Sequence, residues 1–182
     1  MTATVNSSKR LHKGRVFEMF SENITLANGV TTDIDILRHP GAAAIVPMAD
    51  EKTLVWIRQY RHAVGDYIWE IPAGTLDPKE APLVCAKREL IEETGFSAQT
   101  WLPIGRIVPV PGYSNERIHL YLASDLSLEK QDLDRDELLE VHQIPLAEAV
   151  DMVLSGKVVD AKTICGLMLA KQHLEKVSAT RR

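Results

Sequence analysis

Cysteine is scarce. The 182 residues contain two, Cys85 and Cys165, far apart and outside any Cys-x-x-Cys or Cys/His metal spacing. That excludes a disulfide scaffold and a zinc module, and it reads as two free thiols in a reducing compartment. The first fifteen residues are polar and have no apolar h-region, so no signal peptide is expected. No window approaches the ~18 uninterrupted apolar residues of a membrane span. An excess of basic charge is missing too: 21 Lys and Arg stand against 25 Asp and Glu, a net charge of −4. A duplex DNA binder has a different electrostatic footprint, whereas a small anion held by a few arginines or through a metal stays open. Aromatic residues make up 5% of the chain, which leaves few side chains to stack on a nucleobase. Repeats and low-complexity tracts are absent. The expectation is a cytoplasmic protein with neither a membrane nor a nucleic acid as partner.

The apolar fraction of 45% and the charged fraction of 25% are ordinary globular values. A chain of this length most simply makes one domain with a short appended element, and it can bury roughly 70% of its unfolded surface. Residues 1–14 read as a frayed tail. Residues 15–38 alternate weakly and contain Asn28-Gly29, the strongest short hairpin signal in the chain. Strands are expected near 42–48 and 53–60, with Asp50-Glu51-Lys52 as the turn, then from Tyr67 to Ile71. A helix is expected over 80–94, with Pro82 in its first turn, Gly95 closing it, and Leu83, Cys85, Ala86, Leu90 and Ile91 as its apolar side. Strands near 101–110 and 117–124, an acidic loop over 129–140, a short strand from Val141 to Ile144 and helices over 146–155 and 161–176 complete a mixed α/β layer fold. Trp56, Trp69 and Trp101 read as core or interface. His62, His119 and His142 read as surface or satisfied core positions.

The helix at 80–94 carries an unusual face. Glu89 and Glu93 are i,i+4, and Glu89 and Glu92 are i,i+3, so three carboxylates lie close together near a helix C-terminus. They repel one another and oppose the helix dipole. A hard divalent cation reverses the sign of that repulsion, and an all-oxygen set suits Mg²⁺ or Mn²⁺. A merely solvated acidic face is the alternative, and the wider spacing decides against it. Gly74, Glu80, Arg88, Glu89, Leu90, Glu92, Glu93, Gly95 and Phe96 fill all nine specified positions of G-x5-E-x7-R-E-U-x-E-E-x-G-U, with U apolar.

This run resembles the Nudix box of the Nudix hydrolases. The resemblance implies a Nudix α/β/α sandwich with a mixed β-sheet, classed as α/β, and a strand-loop-helix that binds divalent metal and cleaves a diphosphate linked to another group. By the same resemblance, Glu89, Glu93 and the peptide carbonyl of Ala73 are metal ligands, with Glu92 in reach as a catalytic carboxylate. Arg88 orients these carboxylates on the substrate side, and Glu80 has a structural role.

Outside the box, Arg58-Gln59-Tyr60-Arg61-His62-Ala63-Val64, Trp69-Glu70-Ile71-Pro72-Ala73-Gly74, Val110-Pro111-Gly112-Tyr113-Ser114-Asn115-Glu116 and Asp160-Ala161-Lys162-Thr163-Ile164 resemble the ADP-ribose pyrophosphatase branch, which includes nucleoside-diphosphate-sugar hydrolases. Pro111 lies 16 residues after Gly95, the placement associated with ADP-ribose hydrolysis. Tyr113, 17 residues after Phe96, is near where dinucleoside polyphosphate hydrolases carry a tyrosine. The resemblance implies that Arg61 contacts the diphosphate, that Glu116 contacts metal or substrate, and that the acidic loop supplies the general base. There Glu137 is the first choice and Glu140 the second. The loop reads Asp134-Arg135-Asp136-Glu137-Leu138-Leu139-Glu140-Val141, with Arg135 where the branch carries a glutamate.

The implied activity is Mg²⁺-dependent hydrolysis of ADP-ribose or a related nucleoside-diphosphate sugar. A homodimer is implied through an N-terminal tail and β element at 1–38, ahead of a hydrolase domain at 39–182. The rivals are a dinucleoside polyphosphate or nucleoside triphosphate hydrolase, a catalytically dead nucleotide-sugar sensor and an RNA-end hydrolase. The intact Glu89, Glu92 and Glu93 argue against the sensor. The lack of a basic stretch before Arg181-Arg182 argues against the RNA enzyme.

Overall fold

The chain begins with three antiparallel strands, β1 (Thr4–Lys13), β2 (Glu18–Thr25) and β3 (Thr31–Arg38), in the order β1-β2-β3. Asn28-Gly29 turns β2 into β3: Gly29 sits at φ +85°, and the Asn28 side chain accepts the Val30 N–H at 3.1 Å. The expectation of a frayed tail is corrected here, because β1 is a ten-residue strand. It contributes no buried residue. Pairing with β2 and polar cross-strand contacts hold it instead, among them Asn6 to Asn23 at 2.9 Å and Ser8 to Glu22 at 2.8 Å. This computed structural model describes residues 2–135 and 137–180. Asp136 and Arg181-Arg182 lie outside the described residues.

The apolar strand β4 (Ala42–Pro47) is buried along its whole length, and β5 (Thr53–Arg61) follows across the Asp50–Lys52 turn. Next come β6 (Asp66–Glu70), β7 (Ala73–Thr75), α1 (Pro82–Thr94), β8 (Phe96–Ile107), β9 (Ile118–Leu128), β10 (Leu139–Pro145), α2 (Leu146–Leu154) and α3 (Ala161–Thr180). Two further sheets result: a mixed one, β7-β4-β9-β8, in which only β4 and β9 run parallel, and an antiparallel one, β10-β5-β6. β8 and β9 are longer than expected from sequence, because their polar ends pair outward from Thr100 and Ser124 to Phe96 and Leu128.

Strand alternation gives β4 two apolar faces. Ala43 and Ile45 pack with Cys85, Ala86 and Leu90 of α1, while Ala44 and Val46 pack with Leu167 and Ala170 of α3. The mixed sheet is thus sandwiched between helices, as expected. Leu83, expected on the apolar side of α1, is instead 37% exposed, and that side includes Glu89 and Glu93. Pro82 opens the helix, and Gly95 closes it at φ +68° with its N–H on the Ile91 carbonyl.

Candidate active site

A helix that buries two glutamates needs a partner surface without bulk. β7 supplies it: a Cβ built on Gly74 falls 1.7 Å from Glu89 Oε1, so only glycine lets the strand and this carboxylate share the space. One residue earlier, the Ala73 N–H donates to Glu93 Oε2 at 2.8 Å. Glu93 is 1% exposed. Burial, then the neighbouring charges of Glu89 and Glu137, push its carboxyl well above the usual range, against the Ala73 hydrogen bond and the charge of Arg61. Burial pushes Glu89 up to about 6, with Arg88 opposing and Glu92 and Glu137 reinforcing.

Arg88 holds the carboxylates in place. Its Nη1 donates to Glu89 at 2.6 Å and to Glu92 at 2.9 Å. Its Nε and Nη2 bind Glu80 at 3.1 and 3.0 Å, and Nη2 also reaches the Thr75 carbonyl at 3.3 Å. The hydrogen bonds from Arg88 hold Glu80 below the ordinary carboxylate range. The acidic loop is tied to the end of the same helix, where Gln131 Nε2 donates to the Glu93 carbonyl at 2.6 Å and the Asp132 N–H to the Glu92 carbonyl at 3.1 Å. These bonds satisfy carbonyls that a helix end leaves orphaned. Glu137 turns back within the loop, accepting the Asp134 N–H at 3.0 Å.

Across the cleft, Arg61 grips Glu70 through two bonds of 2.8 and 2.6 Å. Lys162 binds the same carboxylate at 2.7 Å and Asp160 at 3.1 Å. Asp160 accepts the Thr163 N–H and hydroxyl at 2.9 and 2.6 Å, and Thr163 Oγ1 accepts the Ile71 N–H at 2.8 Å. The start of α3 is thereby pinned to the end of β6. Burial pushes Glu70 up, but the Arg61 bonds and the Lys162 charge outweigh it and hold the carboxyl below its ordinary range. The paired Glu70 raises Arg61 in turn.

These elements enclose a cleft of about 1200 Å³. Of the residues singled out from sequence, Ala73, Arg61, Arg88, Glu89, Glu92, Glu93 and Glu137 line it together. Glu116 and Glu140 do not. Glu116 lies 3.7 Å from His39 Nδ1, in a loop stitched to β3 through Leu37 and Asn115. The Glu140 side chain is 62% exposed and faces His142 at 3.3 Å. Arg15, from the β1–β2 turn, and Gln59 also line the cleft, and neither was anticipated. Nor was the Glu70–Lys162 link. Its only trace in sequence was an acid and a base in two separate matching stretches. For Gln59 the signal was a polar residue in step with Ile57 and Arg61 on one strand face.

The donor chemistry fits a divalent cation. Seven acids and three arginines line the cleft, so an anionic diphosphate meets a negative surface unless a cation intervenes. Ala73, Glu89 and Glu93 offer hard oxygen ligands, and both glutamates are buried. Among the described residues no three acidic, histidine or cysteine side chains yet form a ready-made cage. Arg88 draws Glu89 and Glu92 onto its own guanidinium instead.

Comparison with known proteins follows the same lines. The NUDIX domain model matches residues 37–166. The chain is 38% identical over 159 residues to the ADP-ribose pyrophosphatase of Bacillus subtilis (strain 168), with 86% of each chain covered. It is 35% identical over 170 residues to the methanol dehydrogenase activator of Bacillus methanolicus, covering 92% of this chain and 90% of that one. A crystal structure of an ADP compounds hydrolase superposes with a TM-score of 0.85 at 26% identity, covering 97% of this chain and 96% of that chain. The family model takes in both the buried glutamate helix and the Arg61 strand that faces it across the cleft, and on that match the chain belongs to the Nudix family, as one of its pyrophosphatases.

Proposed function

We propose that this protein hydrolyses ADP-ribose, or a closely related nucleoside-diphosphate sugar, to a nucleoside monophosphate and a sugar phosphate, with Mg²⁺ or Mn²⁺ as cofactor. The observation that carries the reading is the opposition of Arg61 to the buried Glu89–Glu93 pair across one cleft. The names of the Bacillus subtilis relative and of the superposed hydrolase support the substrate class.

Ala73, Glu89 and Glu93 would hold the cation. Bound there, a divalent ion neutralises diphosphate oxygens and makes a water more acidic. The remaining work falls to the chain itself. Arg61 receives the diphosphate, and its planar fork suits that anion. Glu70, steadied by Lys162, aims the guanidinium. Arg88 keeps Glu89 and Glu92 together. Glu137 takes a proton from the attacking water as its oxygen bonds to phosphorus and the bridging P–O bond breaks. Glu140, turned toward His142, is the second choice for that role, and Glu116 reaches the substrate only if its loop leaves β3.

A homodimer through the N-terminal sheet belongs to the same proposal. Val5, Leu11, Val16, Phe17, Leu26, Val30 and Ile34 are all exposed on its strands and turns, apolar surface that a second copy would cover. Free Cys85 and Cys165 suit a reducing cytoplasm.

Four measurements test these statements. Release of phosphorylated products from ADP-ribose, ADP-glucose, GDP-mannose, a diadenosine polyphosphate and dGTP is expected only with the diphosphate sugars, and EDTA abolishes it. Cleavage confined to the last two would transfer the protein to another Nudix class, and silence throughout would favour a sensor. Glu137→Gln is expected to lower kcat by about 10²–10⁴-fold with little change in KM. If Glu140→Gln alone does so, the base is Glu140.

Glu70→Gln is expected to raise KM and to destabilise the fold at pH 7 by about 2 kcal/mol, since it takes the shared carboxylate from half-exposed Arg61 and leaves the largely buried Lys162 with Asp160 alone. The folded carboxyl of Glu70 lies below its unfolded value of 4.5, so its stabilisation is complete above that value and lost as pH falls through the lower, folded one. The gap between wild type and variant in urea melts therefore closes below pH 4.5. A gap independent of pH would remove the ion-pair account. Finally, sedimentation velocity is expected to show a dimer that Val5→Lys with Val30→Lys converts to monomer. A monomeric wild type would end the dimer proposal.

A further inference from the structure

β5 presents Ile57, Gln59 and Arg61 on one face, since strand side chains alternate. Ile57 is fully buried, Gln59 is 4% exposed, and the Arg61 side chain, 38% exposed, reaches the rim. Gln59 lines the cleft between these two. Its sheet neighbours are Leu139 of β10 and Ile68 of β6, and Glu137 precedes Leu139 by two residues. The acidic loop thus enters its strand beside Gln59. The Oε1 atom of Gln59 is shut off from solvent and accepts no hydrogen bond from any described residue. Among the described residues, the other buried side-chain polar atom in that condition, Trp56 Nε1, belongs to the opposite face of β5 and the apolar core.

A buried amide carbonyl without a donor weakens the fold, and a methionine of similar length in its place would not carry that cost. The atom is an acceptor, so it has no attraction for a phosphate oxygen. It is also neutral, and adds nothing to the negative charge of seven lining acids. What satisfies it is a donor, and the donors that a diphosphate sugar and its attacking water bring are O–H groups.

We infer that Gln59 is a substrate-site residue whose side-chain amide turns its carbonyl to the cleft when substrate binds and there accepts a hydrogen bond from an O–H group, either a sugar hydroxyl of the substrate or the attacking water. This rests on the diphosphate-sugar hydrolase reading above. It adds a contact that selects for a hydroxyl donor between the diphosphate arginine and the acidic loop.

The test compares wild type with Gln59→Met in two ways. Without metal or substrate, Q59M is expected to melt at or above the wild-type temperature, because the unmatched carbonyl is gone. A melting point several degrees lower would show that Gln59 makes a structural bond, and would overturn the inference. With ADP-ribose and Mg²⁺, Q59M is expected to lose about ten- to a hundredfold in kcat/KM, the size of one lost hydrogen bond to a buried group. Unchanged kcat/KM would also overturn it. Analogues with individual sugar hydroxyls removed separate the two donors. A Q59M defect that vanishes on one deoxy analogue assigns the sugar hydroxyl, and an equal defect on all of them assigns the water. The melting comparison needs no substrate. A wild type inert toward every diphosphate sugar would therefore overturn the function and leave the state of the Gln59 carbonyl still decided.

Discussion

Arg88 is the charge on which the rest of the site depends. Glu89, Glu92 and Glu93 occupy the last two turns of a helix whose dipole already disfavours anions there. Glu80 adds a fourth carboxylate just outside the helix. One guanidinium reaches three of these four, and its fixed planar fork sets the angle between them. A lysine would bring the charge without the fork. With Glu89 held by Arg88 and Glu93 by the Ala73 N–H, the helix closes at Gly95. That closed end then binds Gln131 and Asp132, which brings the acidic loop and Glu137 over the cleft. The order of dependence runs from the arginine to the helix end to the loop.

Packing explains why this helix buries acids at all. The apolar residues Cys85, Ala86 and Leu90 anchor α1 to the sheet, against Ala43, Ile45 and Ala123. Glu89 and Glu93 lie on the same buried side of the helix and are directed at β7 instead of solvent. The neighbouring chemistry is just as dense. Cys85 lies against the Gly74 carbonyl, and burial together with the Glu89 charge pushes its thiol up to about 12, so it behaves as a small apolar anchor and not as a nucleophile. On the facing side Arg61 is fixed by a chain of alternating charges that ends in the first turn of α3. One helix, α1, two strands from different sheets, β5 and β7, and the acidic loop therefore line the cleft.

Much of this was legible in the sequence. The nine box positions placed the glutamate helix, Gly74 and Arg88 correctly, because their spacing is itself the geometry of one helix face and one close approach. The Asn28-Gly29 turn and the β4–β5 hairpin followed from local turn chemistry. Other features left no local trace. β1 is polar and exposed, so no hydrophobic period marks it, and only its pairing with β2 makes it a strand. Leu83 looked like core because helical spacing gives a face but not which residue of that face the sheet covers. Glu116 and Glu140 matched family patterns, yet their side chains are set by contacts with His39 and His142 that no spacing encodes. The partnership of Glu70 with Lys162 spans 92 residues and is purely tertiary.

The glutamates of this one region separate into two groups. Glu70 and Glu80 are paired with cations, and their carboxyls are held low. Glu89 and Glu93 are equally protein-bound but underpaired, and theirs are driven up. Burial is common to Glu70, Glu89 and Glu93, so the difference lies in the partners. Lys162 and Arg61 satisfy Glu70, while Arg88 is divided among too many acids to satisfy Glu89, and Glu93 has a single neutral N–H. A fold selected for stability alone would supply the missing cation or replace the acid with an apolar side chain. Among the described residues the deficit falls at Glu89, Glu93 and Gln59 of the cleft lining, and otherwise at Trp56 Nε1 in the apolar core. The unmet polar demand of Glu89, Glu93 and Gln59 along one cleft is what the proposed cation and diphosphate would answer.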